Sequence, residues 1–414
     1  MSKVLYLNGS KFRFKVDTIW IDWIKTNNLE LKSNEKKQMA IICIKDLSRD
    51  IDIVHPLTDF LYHYWRYKSY NTQRKHALNV VSFLNFILEN RMENRISSLT
   101  DLKLDHAENF LNYKTIIGMK RESIKGIENT LSLFYRYLSK HECLPNVPST
   151  SFDSYINTDG KEVPISPFNN VILPSKETTS IEHTFPIEYI PVLFELASII
   201  AKPITLGLYL QIFGGLRIGE VANIKRSSIK HQVNAEVIVI NLVERNLRTD
   251  IKDASGSNYV KKPRKQQIFI LRDWFDSLYK DHLELYKSTD GSGALFVNRD
   301  GKAMSAKSYR QYFDKVKKEF IKILKNSSKI DDKLLAHHLK VTKWSTQIGR
   351  GIFSNLLAEY AENPYDIAVP RGDDSLLSSL TYLKGTVRYR DKLLERLNNM
   401  HTNYIPSLLD ESTR

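Results

Sequence analysis

The sequence predicts a mainly α protein: a small helical bundle, a proline-rich break, and a larger, mostly helical domain that holds one small antiparallel sheet. Three observations predict it. Two stretches in the first third repeat apolar residues at helical spacing. Residues 144–182 carry prolines at 145, 148, 164, 167 and 174 among Ser, Thr, Asn and Asp, which denies them regular structure. Within the helical remainder, VIVINLVE and QQIFIL are short runs rich in apolar and β-branched residues and read as a strand and its return.

In chain order, residues 1–55 read as an extension of mixed type, with KFRFKV and MAIICI strand-like. Its role is not legible from the sequence, which leaves open padding of the next domain or reach to additional DNA sites. Residues 56–143 form the bundle. In NTQRKHALNVVSFLNFILEN the residues Ala77, Val80, Val81, Leu84, Ile87 and Leu88 make one helix face, with Asn71 or Thr72 as the cap. DHAENFLNY reads as a shorter helix opened by Asp105, and ESIKGIENTLSLFYRYL puts Ile124, Ile127, Leu131, Phe134, Tyr135 and Leu138 on one stripe. The basic outer faces (Arg74, Lys75, Lys120, Arg121, Lys125) suit a polyanion, and equally suit plain solvation. Residues 144–182 are expected to be an extended linker, 183–400 the second domain, and 401–414 a tail.

Composition narrows the partners. Lys and Arg exceed Asp and Glu by 61 to 47, a net charge of +14, so the chain favours a polyanion, with nucleic acid first among them. Two cysteines without metal-ligand spacing, Cys43 and Cys143, fit a reducing cytosol rather than a disulfide framework. The N-terminus lacks the long apolar run of a signal peptide, and no window approaches a membrane span, so no membrane partner is expected.

Four short motifs carry the chemistry. They are GGLRIGEVANIKRSSI with Arg217, the basic run KKPRK at 261–265 before a strand, HHLK at 337–340, and RGDDSLLSSLTYL at 371–383. A guanidinium fork suits phosphate bidentately, and Glu220 lies one turn from Arg217 to hold it. An arginine, a lysine, a histidine, a second basic residue and a late tyrosine, in that order, resemble the tyrosine recombinase (phage integrase) family in its divergent, mobile-element members. The resemblance covers roughly residues 56–400. It implies a helical core-binding, DNA-binding domain at 56–143 and a mixed, mostly α catalytic domain at 183–400.

What the resemblance implies for each position is specific. Arg217 would bind the scissile phosphate. Lys262, in the K-x-x-K-x-x-apolar register, would protonate the leaving 5′ oxygen, with Lys261 and Lys265 as alternatives. Nonspecific phosphate contact is the plain reading of Lys261, Arg264 and Lys265. HHLK matches the H-x-L-R box, giving His337 as the proton acceptor or relay and Lys340 where the family has arginine. Arg350, on the helix that follows, is a possible spatial substitute. Gly372 to Tyr382 reproduces the spacing of G-H-S-S-x-x-T-T-x-x-Y, so Tyr382 is the expected nucleophile. Asp373 stands where the family has histidine or tryptophan to donate to the phosphate; a carboxylate can only accept, and it is expected to orient Lys340 or Arg371. The interval from His337 to Asp373 is longer than the family shows, which implies an inserted loop around Glu362–Pro370. VRYRDKLLERLNNM would be a short amphipathic helix, packed on its own domain or docked in a neighbouring subunit.

The expected function is a site-specific DNA recombinase or integrase of a mobile element that works through a 3′-phosphotyrosyl bond, with neither metal nor ATP and no other cofactor. Its expected partners are double-stranded DNA, copies of itself in a synaptic tetramer, and an accessory or partner recombinase, in the cytoplasm with the nucleoid. Two alternatives use the same residues. One is a DNA-end-binding relative that has lost cleavage; the other is a type IB topoisomerase-like nicking enzyme.

Overall fold

The computed structural model describes residues 12–27, 30–157, 160, 162–175, 185–229, 237–271, 273–341, 344–373 and 376. It is mainly α with small antiparallel sheets, and it divides into two compact units, Met1–Thr179 with Thr249–Gly256, and Ser180–Arg248 with Ser257–Arg414.

The first unit opens on a long hairpin. Strands β1 (Phe12–Asn27) and β2 (Glu30–Asp46) pair antiparallel with Val16 opposite Ile42, and β3 (Ile51–Val54) adds to the β2 edge. The extension is therefore a sheet, and Phe14, Ala40 and Ile42 join the core of the helices. Asn85 fixes β1 by accepting from the Phe14 N–H and donating to its carbonyl (3.0 and 2.9 Å). The helices are α1 (Thr58–Trp65), α2 (Tyr70–Glu89), α3 (Leu104–Ile116) and α4 (Arg121–Lys140). All six apolar positions expected on α4 are buried, as are five of the six on α2, Leu88 being half-buried. The cap of α2 is Ser69, whose hydroxyl accepts from the Thr72 N–H, not Asn71 or Thr72. Asn71 instead donates to the Gly256 carbonyl at 2.9 Å. The segment Thr249–Gly256 is held in this unit by Trp20, whose indole N–H donates to Ile251, and by Gln38, which donates to Asp253 (3.1 and 2.7 Å).

The expected linker is largely a strap. Leu144, Val147 and Phe168 are buried in the core of the first unit, and β4 (Ser154–Ile156) pairs with β5 (Glu162–Pro164). Polar residues one and two turns apart on α3 then receive the chain. Glu108 accepts from the N–H groups of Asn169 and Asn170 (2.8 and 3.2 Å), Asn112 accepts from Ile172 (2.7 Å), and Thr115 donates to the Ile172 carbonyl (2.7 Å). Arg121 donates to the Pro174 carbonyl at 2.8 Å. Prolines exclude helix here, and the α3 side chains supply the hydrogen bonds that a lone extended chain would lack. The two units part between Thr179 and Ser180, inside the segment read as a linker.

The second unit is built round α6 (Lys202–Gly214), which is buried on nearly every side, after α5 (Ile190–Ile200). Both helices carry proline in the first turn, where no N–H is needed. Then follow α7 (Ile218–Ala222), the hairpin β6 (Val237–Leu242) and β7 (Arg264–Phe269), α8 (Trp274–Leu285), α9 (Ala306–Asn326), α10 (Ile330–Val341), α11 (Ile348–Tyr360) and α12 (Tyr365–Arg371). The hairpin register puts Ile240 opposite Gln266 and Leu242 opposite Arg264. Among the described residues no helix is long and apolar enough to cross a membrane.

Candidate functional site

Three chain turns in the second unit bring four arginines together. The first is the exit from α6. Gly215 takes the left-handed conformation (φ 65°), and its N–H returns to the Gln211 carbonyl. A side chain there would be strained by φ and would also strike Phe353. The turn places Arg217 in extended conformation at the start of α7. Glu220, fully buried, accepts from the Arg217 N–H at 2.7 Å and from its Nη1 at 3.1 Å.

The second turn is the start of β7. Arg264 meets the same carboxylate with both terminal nitrogens, Nη1 to Oε1 at 2.6 Å and Nη2 to Oε2 at 3.2 Å. Burial alone would raise the Glu220 pKa; the hydrogen bond and charge of Arg264, and then those of Arg217, reverse this and hold it below 4.5.

The third is the end of α12, capped by Gly372 in the left-handed conformation (φ 64°), with the Arg264 side chain packed against it. Asp373 follows. Its Oδ1 accepts from Arg350 Nη2 at 2.7 Å and lies 3.6 Å from Arg217 Nη2, and its Oδ2 lies 3.1 Å from Arg371 Nη2. Arg350 comes from the first turn of α11, which approaches α6 closely at Gly349. It also donates to the carbonyls of Gly215 (2.6 Å) and Arg371 (3.1 Å), so it ties the first turn to the third. Burial first, then the charges of Arg217 and Arg371, bring its pKa down to about 10, against the pull of Asp373 and Glu220. It stays cationic at neutral pH.

No family model matches the sequence, and no curated protein matches it. Solved structures do. A fragment of the Tn1549 transposon integrase in complex with circular intermediate DNA aligns over 81% of this chain and 98% of its own, at 13% identity and TM-score 0.53. The same integrase with transposon right end DNA gives 82%, 98%, 14% and 0.53. The XerH site-specific recombinase, in a post-cleavage complex with a palindromic difH substrate, aligns over 80% of each chain at 17% identity and TM-score 0.51. The chain has the tyrosine-recombinase fold.

Within that fold the expected residues divide. Arg217 lies in the arginine cluster, with Glu220 holding it. Lys262 is half-buried just before β7, and its carbonyl accepts from Arg264 Nη1 at 3.3 Å; Lys261 and Lys265 are exposed. Arg264, expected as a DNA contact, is instead paired with the buried Glu220, its side chain only 12% exposed. His337 and Lys340 sit on the exposed side of α10, while Leu335, Ala336 and Leu339 turn inward. Among the described residues neither His337 nor Lys340 forms an ion pair or side-chain hydrogen bond, and Asp373 pairs with Arg350, Arg371 and Arg217 instead of Lys340. The expected inserted loop at Glu362–Pro370 is instead mostly α12, a short helix with Pro370 in its last turn.

Arg350 is therefore the arginine that meets Arg217. One signal for it was in the sequence: moving the box ten residues on, from 337–340 to Gln347–Arg350, removes the excess length before Asp373 and the need for an insertion. Of the residues on the first unit, Lys75, Lys120 and Lys125 are exposed and Arg74 is half-buried, while Arg121 holds the strap. Tyr382 and the segment VRYRDKLLERLNNM lie outside the described residues.

Proposed function

We propose that this chain is a site-specific DNA recombinase, an integrase of a mobile element, that cuts and rejoins DNA through a 3′-phosphotyrosyl bond. One observation carries the reading: in a fold shared with an integrase and a recombinase solved on DNA, Arg217 and Arg350 reach the same carboxylate oxygen, at 3.6 and 2.7 Å. Two forks that converge on one anionic oxygen suit the non-bridging oxygens of a scissile phosphodiester.

Tyr382 Oη attacks the phosphorus, the bond to the 5′ oxygen breaks, and Lys262 supplies the proton to that oxygen. With His337 on the outside of α10, the proton of the tyrosine hydroxyl passes to water. The new phosphotyrosyl ester conserves the bond for religation, so the cycle needs no nucleotide. Double-stranded DNA is the substrate. Basic residues of the first unit (Arg74, Lys75, Lys120, Lys125) contact its backbone, as do Lys261 and Lys265 beside the hairpin. Copies of the chain pair two sites in a synaptic tetramer.

The test is covalent trapping on a pool of nicked duplexes of random sequence. The wild type should form a protein–DNA adduct and select a site, and Tyr382→Phe should bind DNA without adduct. Adduct from the Phe variant removes Tyr382 as nucleophile. Binding without adduct by the wild type favours the second reading, an end-binding relative, which Gln347 in the box position of histidine supports.

A further inference from the structure

The carboxylate of Asp373 sits where three guanidinium groups converge. Among the described residues the other carboxylate of the cluster, Glu220, pairs with Arg217 and Arg264. One oxygen of Asp373 serves Arg350 and, loosely, Arg217, while the other serves Arg371. That is the arrangement an oxyanion would adopt.

We propose that this point is a phosphate seat with a resident substitute: the Asp373 carboxylate holds Arg217, Arg350 and Arg371 in register until a phosphodiester displaces it, and Arg371 then becomes the third guanidinium on that phosphate. The identity of the phosphate as DNA rests on the recombinase reading; the seat itself does not.

Three features favour exchange over a permanent ion pair. A carboxylate and a phosphodiester each carry one negative charge and present two acceptor oxygens, so the exchange leaves the charge balance of the cluster unchanged. Asp373 is on the open side: its side chain is 13% exposed against 6% for Arg350 and 7% for Arg371. The 3.6 Å gap to Arg217 exceeds a hydrogen bond, and the bulkier tetrahedral phosphate would close it. Arg371 also answers the donor that the motif lacks at position 373, since its Nη2 lies 3.1 Å from the oxygen to be replaced.

The resident carboxylate competes with the ligand, so removing it should tighten binding by the fraction of time the seat is open. The experiment uses the full chain and inorganic phosphate as probe, titrated by calorimetry, with adduct formation on the nicked duplex pool measured in parallel. Asp373→Asn should bind phosphate about tenfold tighter than wild type. Asp373→Glu, which keeps a carboxylate, should not. Adding Arg371→Gln to Asp373→Asn should erase the gain. In the wild type, phosphate should shift the Nε–Hε resonances of Arg350 and Arg371, a readout that needs no variant to fold. Unchanged or weaker phosphate binding in Asp373→Asn, or no shift at Arg371 in the wild type, would overturn the proposal. If the phosphate results hold while no protein forms adduct, the seat stands and the recombinase reading fails. If adduct forms while phosphate binding ignores residues 371 and 373, the reverse is true.

Discussion

Replacing Glu220 by glutamine should destabilise the second unit by about 3–4 kcal/mol at neutral pH, and the structure sets that size. The carboxylate is fully buried and receives four donors: the N–H and Nη1 of Arg217, and Nη1 and Nη2 of Arg264. Glutamine keeps one acceptor and turns an NH2 group toward cations. Leaving a buried charge without its partner costs about 3–5 kcal/mol. Arg264 incurs nearly all of that because it is 12% exposed, whereas Arg217, 24% exposed, can partly hydrate. The pH dependence follows from the direction of the pKa. Glu220 is held below 4.5 when folded, so its contribution is complete above the unfolded value and is lost as pH falls through the folded one. The gap between wild type and Glu220→Gln should be level from about pH 8 to pH 5.5 and close only below about 4.5. Hydrogen exchange of the buried α6 amides reads that gap without interference from the first unit. A gap under about 1 kcal/mol at pH 7, or one that persists unchanged to pH 3, would refute the argument that Glu220 neutralises both guanidinium groups.

Three further outcomes are expected. Arg350→Lys should slow single-turnover adduct formation by roughly 10²–10³, as for loss of a preorganised charge donor, while Lys340→Ala and His337→Ala leave it nearly unchanged; an equal loss from Lys340→Ala would return the second phosphate contact to α10. Gly372→Ala should cost about 1–2 kcal/mol for its left-handed backbone and more for the Arg264 side chain it strikes, whereas Gly291→Ala, also left-handed but with open space around it, should show the backbone cost alone in thermal melts. Residues 144–175 should resist limited proteolysis in the wild type, and Phe168→Ala, which empties a buried aromatic site at a cost of about 3–5 kcal/mol, should expose them to cleavage.

Where the sequence could be read, one local rule settled the matter. The faces of α2 and α4 follow from spacing alone, since a helix buries whichever stripe is apolar. The β6–β7 hairpin follows from two short apolar, β-branched runs, and Arg217 with Glu220 from a string long enough to be specific. The failures came where a decision depended on contacts distant in sequence. HHLK matched a box of four letters, but α10 is an amphipathic helix whose inward residues are Leu335, Ala336 and Leu339, and such a helix offers a histidine and a lysine around a leucine by chance. Prolines report that the strap is not helical, and say nothing about whether it docks; its partners Glu108, Asn112 and Thr115 look in the sequence like ordinary solvated residues. KKPRK gives four of its five residues the same charge, so the sequence does not single out Arg264, while strand register turns it toward Glu220.

Asp373 looks like damage when the motif is read one letter at a time, because a carboxylate beside a phosphate repels it. Its neighbours change that. A neutral donor at this position would need no countercharge, but Arg371 brings a guanidinium into a site that already holds Arg217, Arg264 and Arg350, and Glu220 is fully engaged with two of them. Burying a further cation without an acid nearby would depress its pKa or unseat it. Arg350 already shows the cost, drawn down to about 10 by burial first and then by the charges of Arg217 and Arg371, with Asp373 opposing them. Arginine at 371 and aspartate at 373 are therefore one change: the arginine supplies the donor, and the aspartate makes it tolerable before the ligand arrives. Among the described residues the site therefore joins four guanidinium groups to two carboxylates, of which Asp373 is the one open to exchange, since Glu220 is sealed from solvent.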